Sequence, residues 1–312
     1  MPSDAPAIWL LTDNKPGHRN QLKGLGNRLR VHAGATVHWI DAPAMKIPLW
    51  RALTGIAPAM DAALPAPNLI LAAGSSTHRL LLALRRKARA RTVVLMRPAF
   101  PLRWIDAAIV PEHDRVPAGK RVLVTQGSIN SITPLARITD KPEALILVGG
   151  PSPHFDWDDD VVFEQITHLI RTYPSWRWTI SGSRRTPDTL ASRLEELAGI
   201  KITVVDPQRT HADWLSHQLA ASRVIWVTPD SLSMVSEAAT SGVPAGLLQL
   251  TPQQGSRVAH GVNLLVQRGH VARWSDHATV MGDTLHDSQH RLWEADRAAR
   301  WLIRKYLKRG AA

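Results

Sequence analysis

Short apolar runs alternate with polar turns and amphipathic stretches along the whole chain, and this alternation predicts an α/β protein. In the first half, residues 8–11, 36–40, 69–72, 92–96 and 107–110 read as buried strands, each too short for a helix and rich in aliphatic or β-branched residues. A helix is expected to open in the polar loop after the first strand and run through Leu29, and another to follow residues 73–77. The second half repeats the pattern. Residues 145–148, 176–180, 224–227 and 245–250 read as strands, with one helix over about 158–171 and another starting after the loop at 228–233 and stopped by Gly242-Val243-Pro244. Strands that are apolar on both faces and joined by helices form parallel sheets covered on both sides. The expected fold class is therefore α/β, with two Rossmann-like domains facing a cleft. The first spans residues 1–135 and the second 140–287, with the Gly- and Pro-containing stretch 126–142 as the passage between them. A last helix at about 288–307, in a tail ending at 312, is expected to cross back onto the first domain.

Polar chemistry concentrates where the strands end. The run 224–227 leads into Thr228, Asp230, Ser231 and Ser233, and Glu237 follows in the opening turns of the next helix. Hydroxyls and free helix N–H groups at the carboxyl end of a strand are where open α/β sheets bind phosphorylated ligands. The same residues also suit a plain capped helix, with Ser231 or Ser233 as N-cap and Glu237 solvated. Two further strands end in a similar way. One is followed by Gly149-Gly150-Pro151-Ser152, whose paired glycines would let the backbone approach a ligand. The other is followed by Ser181-Gly182-Ser183-Arg184-Arg185-Thr186-Pro187. In the first half the corresponding loops carry Asp13, Lys15, Gly17, His18 and Gln21, and then Gly74 and Ser75.

Composition narrows the class. A chain of 312 residues suffices for two domains with separate cores, and 44% hydrophobic content with no low-complexity tract indicates a globular protein. No apolar run approaches the roughly 18 to 20 residues needed to span a bilayer. Residues 1–7 show no signal-peptide pattern, and the absence of cysteine excludes disulfides and thiolate metal sites, so a cytoplasmic location is expected. The net charge of +12 calls for an anionic partner. Zinc spacings, RNA-binding aromatic signatures and a convincing helix-turn-helix are all missing, so nucleic acid is not expected. Two basic clusters, 85–91 and 297–309, alternate with apolar positions. Each suits either a solvated helix face or contact with anionic lipid, where a nearby cation contributes on the order of 1 kcal/mol. Peripheral attachment to the inner membrane follows from the second reading. The twelve tryptophans, against three phenylalanines and two tyrosines, are scattered and add little to it.

Four motifs occur in order over nearly the whole chain. They are Asp13-x-Lys15-Pro16-Gly17-His18-x-x-Gln21, Gly149-Gly150-Pro151, Ser183-Arg184-Arg185-Thr186-Pro187, and Val227-Thr228-x-Asp230-Ser231-x-Ser233-Met234-x-Ser236-Glu237-Ala238. Together they resemble the bacterial branch of the plant mitochondrial-fission (elongated mitochondria) family. In that family bacterial members are mostly described as glycosyltransferases, and plant members are known for organelle division. More distantly, the two-domain plan is similar to glycosyltransferases of the GT-B fold, particularly the enzyme that adds N-acetylglucosamine to the lipid-linked peptidoglycan precursor. That resemblance implies an acceptor side at Gly17 and His18, a donor diphosphate at Gly149, Gly150 and Ser152, and a donor ribose at Glu237. This chain departs from the pattern in having Thr228-Pro229-Asp230 where a glycine-bearing turn would stand, and Asp13 and Lys15 in place of a glycine run.

Sugar transfer from a nucleoside-diphosphate sugar needs a base for the acceptor hydroxyl and positive charge with N–H donors at the departing diphosphate. His18 suits the base, with Asp13 and Lys15 beside it in the catalytic loop. The bland alternatives are a histidine bonded to local backbone and a loop ion pair between Asp13 and Lys15. Donor contacts are expected from Gly149, Gly150, Ser152, Ser183, Arg184, Arg185, Thr228, Asp230, Ser231, Ser233 and Glu237, and acceptor contacts from Gly17, Gln21, Gly74 and Ser75. No metal or organic cofactor is expected, since a nucleotide sugar is itself the donor substrate. The leading expectation is a metal-independent glycosyltransferase acting on a lipid-linked or lipopolysaccharide acceptor. A non-catalytic adaptor that binds membrane or protein through its basic face, and a nucleotide-sugar epimerase, are the alternatives.

Overall fold

The computed structural model describes residues 5–87, 90–282 and 292–307. It divides into two compact units, residues 1–131 with 293–312 and residues 132–292. The division falls inside the predicted passage at 126–142.

In the first unit the chain runs β1 (Ala7–Thr12), α1 (Pro16–Ala33), β2 (Thr36–Asp41), α2 (Leu49–Thr54), β3 (Leu69–Ala73), α3 (His78–Leu84), β4 (Arg91–Leu95), β5 (Ala107–Pro111) and β6 (Val122–Thr125). All pairings are parallel, in the order β2-β1-β3-β4-β5-β6. Every residue of β1, β3 and β5 is buried, as a sheet covered on both faces requires. α1 begins with a proline in its first turn, where no N–H is needed, and stops at Gly34 in the left-handed conformation. Its buried stripe of Leu22, Leu25 and Leu29 packs on one face of the sheet.

The second unit runs β7 (Glu143–Leu147), α4 (Asp159–Thr172), β8 (Arg177–Ser181), α5 (Asp188–Glu195), β9 (Ile202–Val205), α6 (Trp214–Ala221), β10 (Val224–Val227), α7 (Leu232–Ser241), β11 (Ala245–Leu247), α8 (Arg257–Gln267) and α9 (His277–Met281). Its sheet is also parallel, ordered β11-β10-β7-β8-β9. The strand expected over 245–250 pairs only through Leu247. β6, β9 and the short α2 escape the apolar pattern because few of their residues are fully buried.

The chain then returns to the first unit as α10 (Glu294–Leu302), which continues as a π-helical turn through Leu307. The start expected near 288 lies outside the described residues. Asp296 clamps α10 to α1. It accepts from Arg28 Nε at 2.8 Å, His32 Nε2 at 2.6 Å and, within α10, Arg300 Nε at 2.6 Å. Arg297 pairs with Glu294, so these two cations of the 297–309 cluster are engaged within the fold, and residues 308–309 lie outside the described part. In the 85–91 cluster residues 88–89 lie outside the described part. α3 ends at Leu84, Arg85 turns back to donate to the carbonyls of Ala52 and Leu53, and Arg91 pairs with Asp106 at 3.0 Å. Among the described residues no helix is long and apolar enough to cross a membrane.

Candidate functional site

A parallel sheet gathers the carboxyl ends of its strands on one edge, and register decides which loops meet there. In the first unit β1 lies between β2 and β3, with Thr12 beside Asp41 of β2 and Leu11 beside Ala72 of β3. The loops after β1 and β3 therefore emerge side by side. Asp13 leaves β1 with its side chain almost fully covered, and His18 lies in the first turn of α1. His18 Nδ1 sits 2.9 and 3.0 Å from the two carboxylate oxygens of Asp13. Ser76 Oγ, from the loop after β3, donates to Asp13 Oδ2 at 3.1 Å, and the Lys15 N–H donates to Oδ1 at 3.2 Å. Burial opposes the charge on Asp13, but these bonds and the His18 ring together hold its carboxyl below the ordinary value.

Gly74 makes room for this pair. Its φ is +93°, and a Cβ there would stand 2.5 Å from both Asp13 Oδ2 and His18 Nδ1. Predicted as an acceptor contact, Gly74 acts instead by leaving space. Ser75 is exposed beside it, and it is Ser76, which the motif reading passed over, that bonds Asp13. The alternative of an Asp13–Lys15 ion pair is not found among the described residues: Lys15 contributes its backbone N–H and Asp13 faces the imidazole. Gln21 is buried, its Nε2 3.7 Å from the Met96 sulfur, and so faces the protein rather than an acceptor. Gly17 is exposed in the first turn of α1.

A pocket of about 620 Å³ opens next to Ser76. Ala42, Pro43, Lys46, Ile47 and Pro48 line it from the segment after β2, and Ser75, Ser76, Arg79 and Leu80 from the segment after β3. Lys46 and Arg79 lay outside the recognised motifs. Only the rule that every strand-end loop is a candidate would have found them.

In the second unit Leu147 of β7 lies beside Ser181 of β8 and Val227 of β10, so three predicted loops converge. Thr228 Oγ1 accepts the Gly149 N–H at 2.7 Å, and Asp230 Oδ2 accepts the Gly150 N–H at 3.2 Å. Arg185 pairs with the same Asp230 oxygen at 2.5 Å and donates to the carbonyls of Gly150 and Pro151. The Ser183 and Thr186 hydroxyls donate to the Gly149 carbonyl at 3.0 and 2.6 Å. Thr186 belongs to the Ser183–Pro187 motif but not to the expected donor contacts, and the sheet register is what brings it to the Gly149 carbonyl.

This wiring revises several expected roles. The glycine pair is explained by internal packing, since a Cβ on Gly149 would stand 2.2 Å from Asp230 and one on Gly150 1.9 Å from the Arg185 carbonyl. Their N–H groups already serve Thr228 and Asp230, and so are not open donors for a diphosphate. Ser231 is the N-cap of α7, accepting from the Met234 N–H, which bears out the plain capping reading for that residue. Ser152 accepts the His154 N–H at 3.2 Å. Ser233 and Glu237 are half-buried in the first two turns of α7.

Two groups remain open toward an anion. The Leu232 and Ser233 N–H groups at the start of α7 lack intrahelical acceptors by position, the Met234 N–H being capped by Ser231, and Arg184 is exposed with no ion pair among the described residues. Buried Asp230 keeps Oδ1 without a partner, while Oδ2 holds Arg185. Among the described residues no three His, Asp or Glu side chains are grouped to hold a metal ion.

Known proteins resemble this chain at two levels. An uncharacterized protein of Rickettsia prowazekii (strain Madrid E) is 24% identical over 224 residues, covering 57% of this chain and 63% of that one, less than two thirds of the relative's length. Two solved structures share the fold over nearly their full lengths. The protein assigned as a UDP-N-acetylglucosamine 2-epimerase in Listeria monocytogenes superimposes with a TM-score of 0.63 at 12% identity, covering 97% of each chain. MurG from Acinetobacter baumannii does so with a TM-score of 0.53 at 13% identity, covering 98% of this chain and all of the other. The two α/β units with all-parallel sheets are thus of the GT-B type. The profile of the mitochondrial fission ELM1 family matches residues 16–306, from the first turn of α1 to the π-helical turn after α10, and the chain belongs to that family.

Proposed function

We propose that this protein is a glycosyltransferase that moves a sugar from a nucleoside diphosphate to a hydroxyl of a lipid-linked or lipopolysaccharide acceptor. The observation that carries this reading is the Asp13–His18 pair. With Nδ1 held by the carboxylate, His18 presents Nε2, which makes no hydrogen bond to a described residue, as the atom able to take a proton. In the step, the acceptor oxygen bonds to the anomeric carbon and its proton passes to His18 Nε2. The bond from that carbon to the phosphate oxygen breaks, and the nucleoside diphosphate leaves with the electron pair. For a departing diphosphate the second unit offers, by itself, the Arg184 cation and the Leu232 and Ser233 N–H groups at the start of α7, and that arrangement requires no metal.

The acceptor occupies the first unit, where the pocket beside Ser76 offers two hydroxyls and the Lys46 and Arg79 cations to a phosphorylated head group. The protein works in the cytoplasm at the inner membrane. Thermal unfolding against a panel of nucleotides and nucleotide sugars tests the donor assignment. A true donor at 100 times its dissociation constant adds about 2.7 kcal/mol of stability. A panel in which no nucleoside diphosphate raises the melting temperature would overturn the reading.

The likeness to the Listeria protein favours epimerisation as a second reading. Epimerisation converts the nucleotide sugar without an acceptor, so product formed from the donor alone would select it.

A further inference from the structure

Seven large hydrophobic side chains are exposed among the described residues, and four of them, Leu49 (57%), Trp50 (53%), Leu53 (52%) and Ile56 (50%), fall within eight positions. They belong to α2 and the turn after Gly55. Spacings of three and four residues place Leu49, Trp50 and Leu53 on one side of α2, Ile56 follows just beyond the Gly55 cap, and Ala52 is the one residue of the helix that is buried. An exposed apolar cluster rimmed by polar groups marks an interaction surface.

Charge identifies the partner. Between Ala42 and Ile105 the sequence contains a single acidic residue, Asp61, against Lys46, Arg51, Arg79, Arg85, Arg86, Lys87 and further arginines. The structure places several of these cations at α2. Arg51 lies 5.2 Å from the Trp50 ring, Arg85 donates to the carbonyls of Ala52 and Leu53, and Arg86 packs against Gly55. Lys46 and Arg79 line the pocket together with Pro48, the residue just before α2. A second copy of this chain would bring the same cations face to face, and a basic partner would be repelled. An anionic bilayer satisfies both features, because apolar side chains enter the headgroup boundary while cations meet lipid phosphates.

We propose that α2 docks the first unit on an anionic lipid bilayer, with Leu49, Trp50, Leu53 and Ile56 inserted and Arg51, Arg86, Lys46 and Arg79 on the lipid phosphates. This deepens the lipid-linked acceptor reading, since a head group drawn from the bilayer enters the pocket directly beside the inserted helix. Docking itself requires no turnover, so it can be tested apart from that reading.

The test is co-sedimentation of the full chain with phosphatidylcholine vesicles, with and without about one-third phosphatidylglycerol, at low and high salt. Wild type is expected on the anionic vesicles and largely released by salt. Trp50→Ser/Leu53→Ser should lower binding more than tenfold, and Arg51→Glu/Arg86→Glu should remove most of the salt-sensitive part, at about fivefold per cation. Ile200→Ser, which alters an exposed apolar residue of the second unit, should bind as wild type. The α2 side chains are exposed, so melting temperatures should stay within a few degrees of wild type, and an unfolded variant is replaced by Leu53→Ser alone.

Equal binding to neutral and anionic vesicles, no binding by wild type, or unchanged binding by the α2 variants overturns the proposal. So does a wild-type dimer that Trp50→Ser/Leu53→Ser converts to monomer, which would assign the face to a second copy. Nucleotide stabilisation of the same variants separates the two ideas. Its loss from every protein including wild type removes the transferase reading alone, whereas vesicle binding insensitive to α2 removes docking alone.

Discussion

His18 Nδ1 lies 2.9 Å from Asp13 Oδ1, and Asp13 is itself held by Ser76 and the Lys15 N–H, so the imidazole is oriented by a carboxylate that has three partners. Such a carboxylate fixes the tautomer and stabilises the imidazolium formed on proton transfer. His18→Ala is expected to lower sugar transfer by about 100-fold to 10,000-fold while nucleotide affinity stays within about twofold. Asp13→Asn keeps the shape but bonds the ring with an amide, and transfer should fall by about 10-fold to 1,000-fold. Turnover and nucleotide titration on both variants check this. Full activity in a stably folded His18→Ala would assign the base elsewhere, with Asp13 next in line.

Gly74 gives a test that leaves both polar residues intact. With φ +93° and ψ 144°, Gly74 sits in a region nearly restricted to glycine that costs another residue about 1–3 kcal/mol, and the added Cβ collides with movable side-chain atoms rather than backbone. The cheapest relief is to displace Asp13 and His18. Gly74→Ala is therefore expected to lose transfer nearly as fully as His18→Ala while the melting temperature falls by only a few degrees. Retained activity would mean that the pair is not the proton acceptor.

Adjacent arginines are expected to behave differently. Arg184 carries no ion pair among the described residues, so Arg184→Ala should weaken a nucleoside diphosphate far more than the free nucleoside and leave stability unchanged. Arg185 neutralises buried Asp230, and its removal leaves that carboxylate without its cation. Because Arg185 is 42% exposed, the cost is reduced from that of a fully buried pair to about 2–3 kcal/mol. Denaturant unfolding together with calorimetric titration of the diphosphate distinguishes the two. A stability loss confined to Arg184→Ala would reverse the assignment.

How far the chain could be read in advance depended on burial and register. Strands such as β3 and β10, buried along their whole length, are continuous apolar runs that the sequence places within a residue or two. β9 has no fully buried residue, and α2 exposes its apolar face, so neither follows the usual pattern of burial. Motif reading found loops but not wiring. It brought Gly149, Asp230, Asp13 and His18 to the right strand ends, yet it assigned the glycine amides to a ligand, whereas Thr228 and Asp230 already hold them. Nothing local in sequence shows that Ser76, 63 residues from Asp13, completes that carboxylate's shell. Long-range contacts of this kind follow from which strands are neighbours, and strand order is not written in hydrophobic periodicity.

The clamp between α10 and α1 carries a pH signature. Burial opposes charge on Asp296, but hydrogen bonds from His32, Arg300 and Arg28 outweigh it and bring its carboxyl from 3.8 down to about 2. A carboxyl depressed in the folded state stabilises fully above its unfolded value and loses that contribution as pH falls from about 3.8 through about 2. Glu294, on the same helix, is pushed up by burial despite Arg297 and acts in the opposite sense. Total acid stability therefore mixes the two, and the difference between wild type and Asp296→Asn isolates the clamp. That difference is expected to be up to about 2 kcal/mol near neutrality and to shrink steadily below about pH 4. Urea unfolding of both proteins at a series of pH values measures it, with protection of the α10 amides against hydrogen exchange as the local readout. A gap that stays constant with pH would mean that Asp296 contributes through packing rather than charge, and an absent gap would mean that the apolar face of α10, Ala295, Ala298, Ala299 and Leu302, suffices to hold the helix in place.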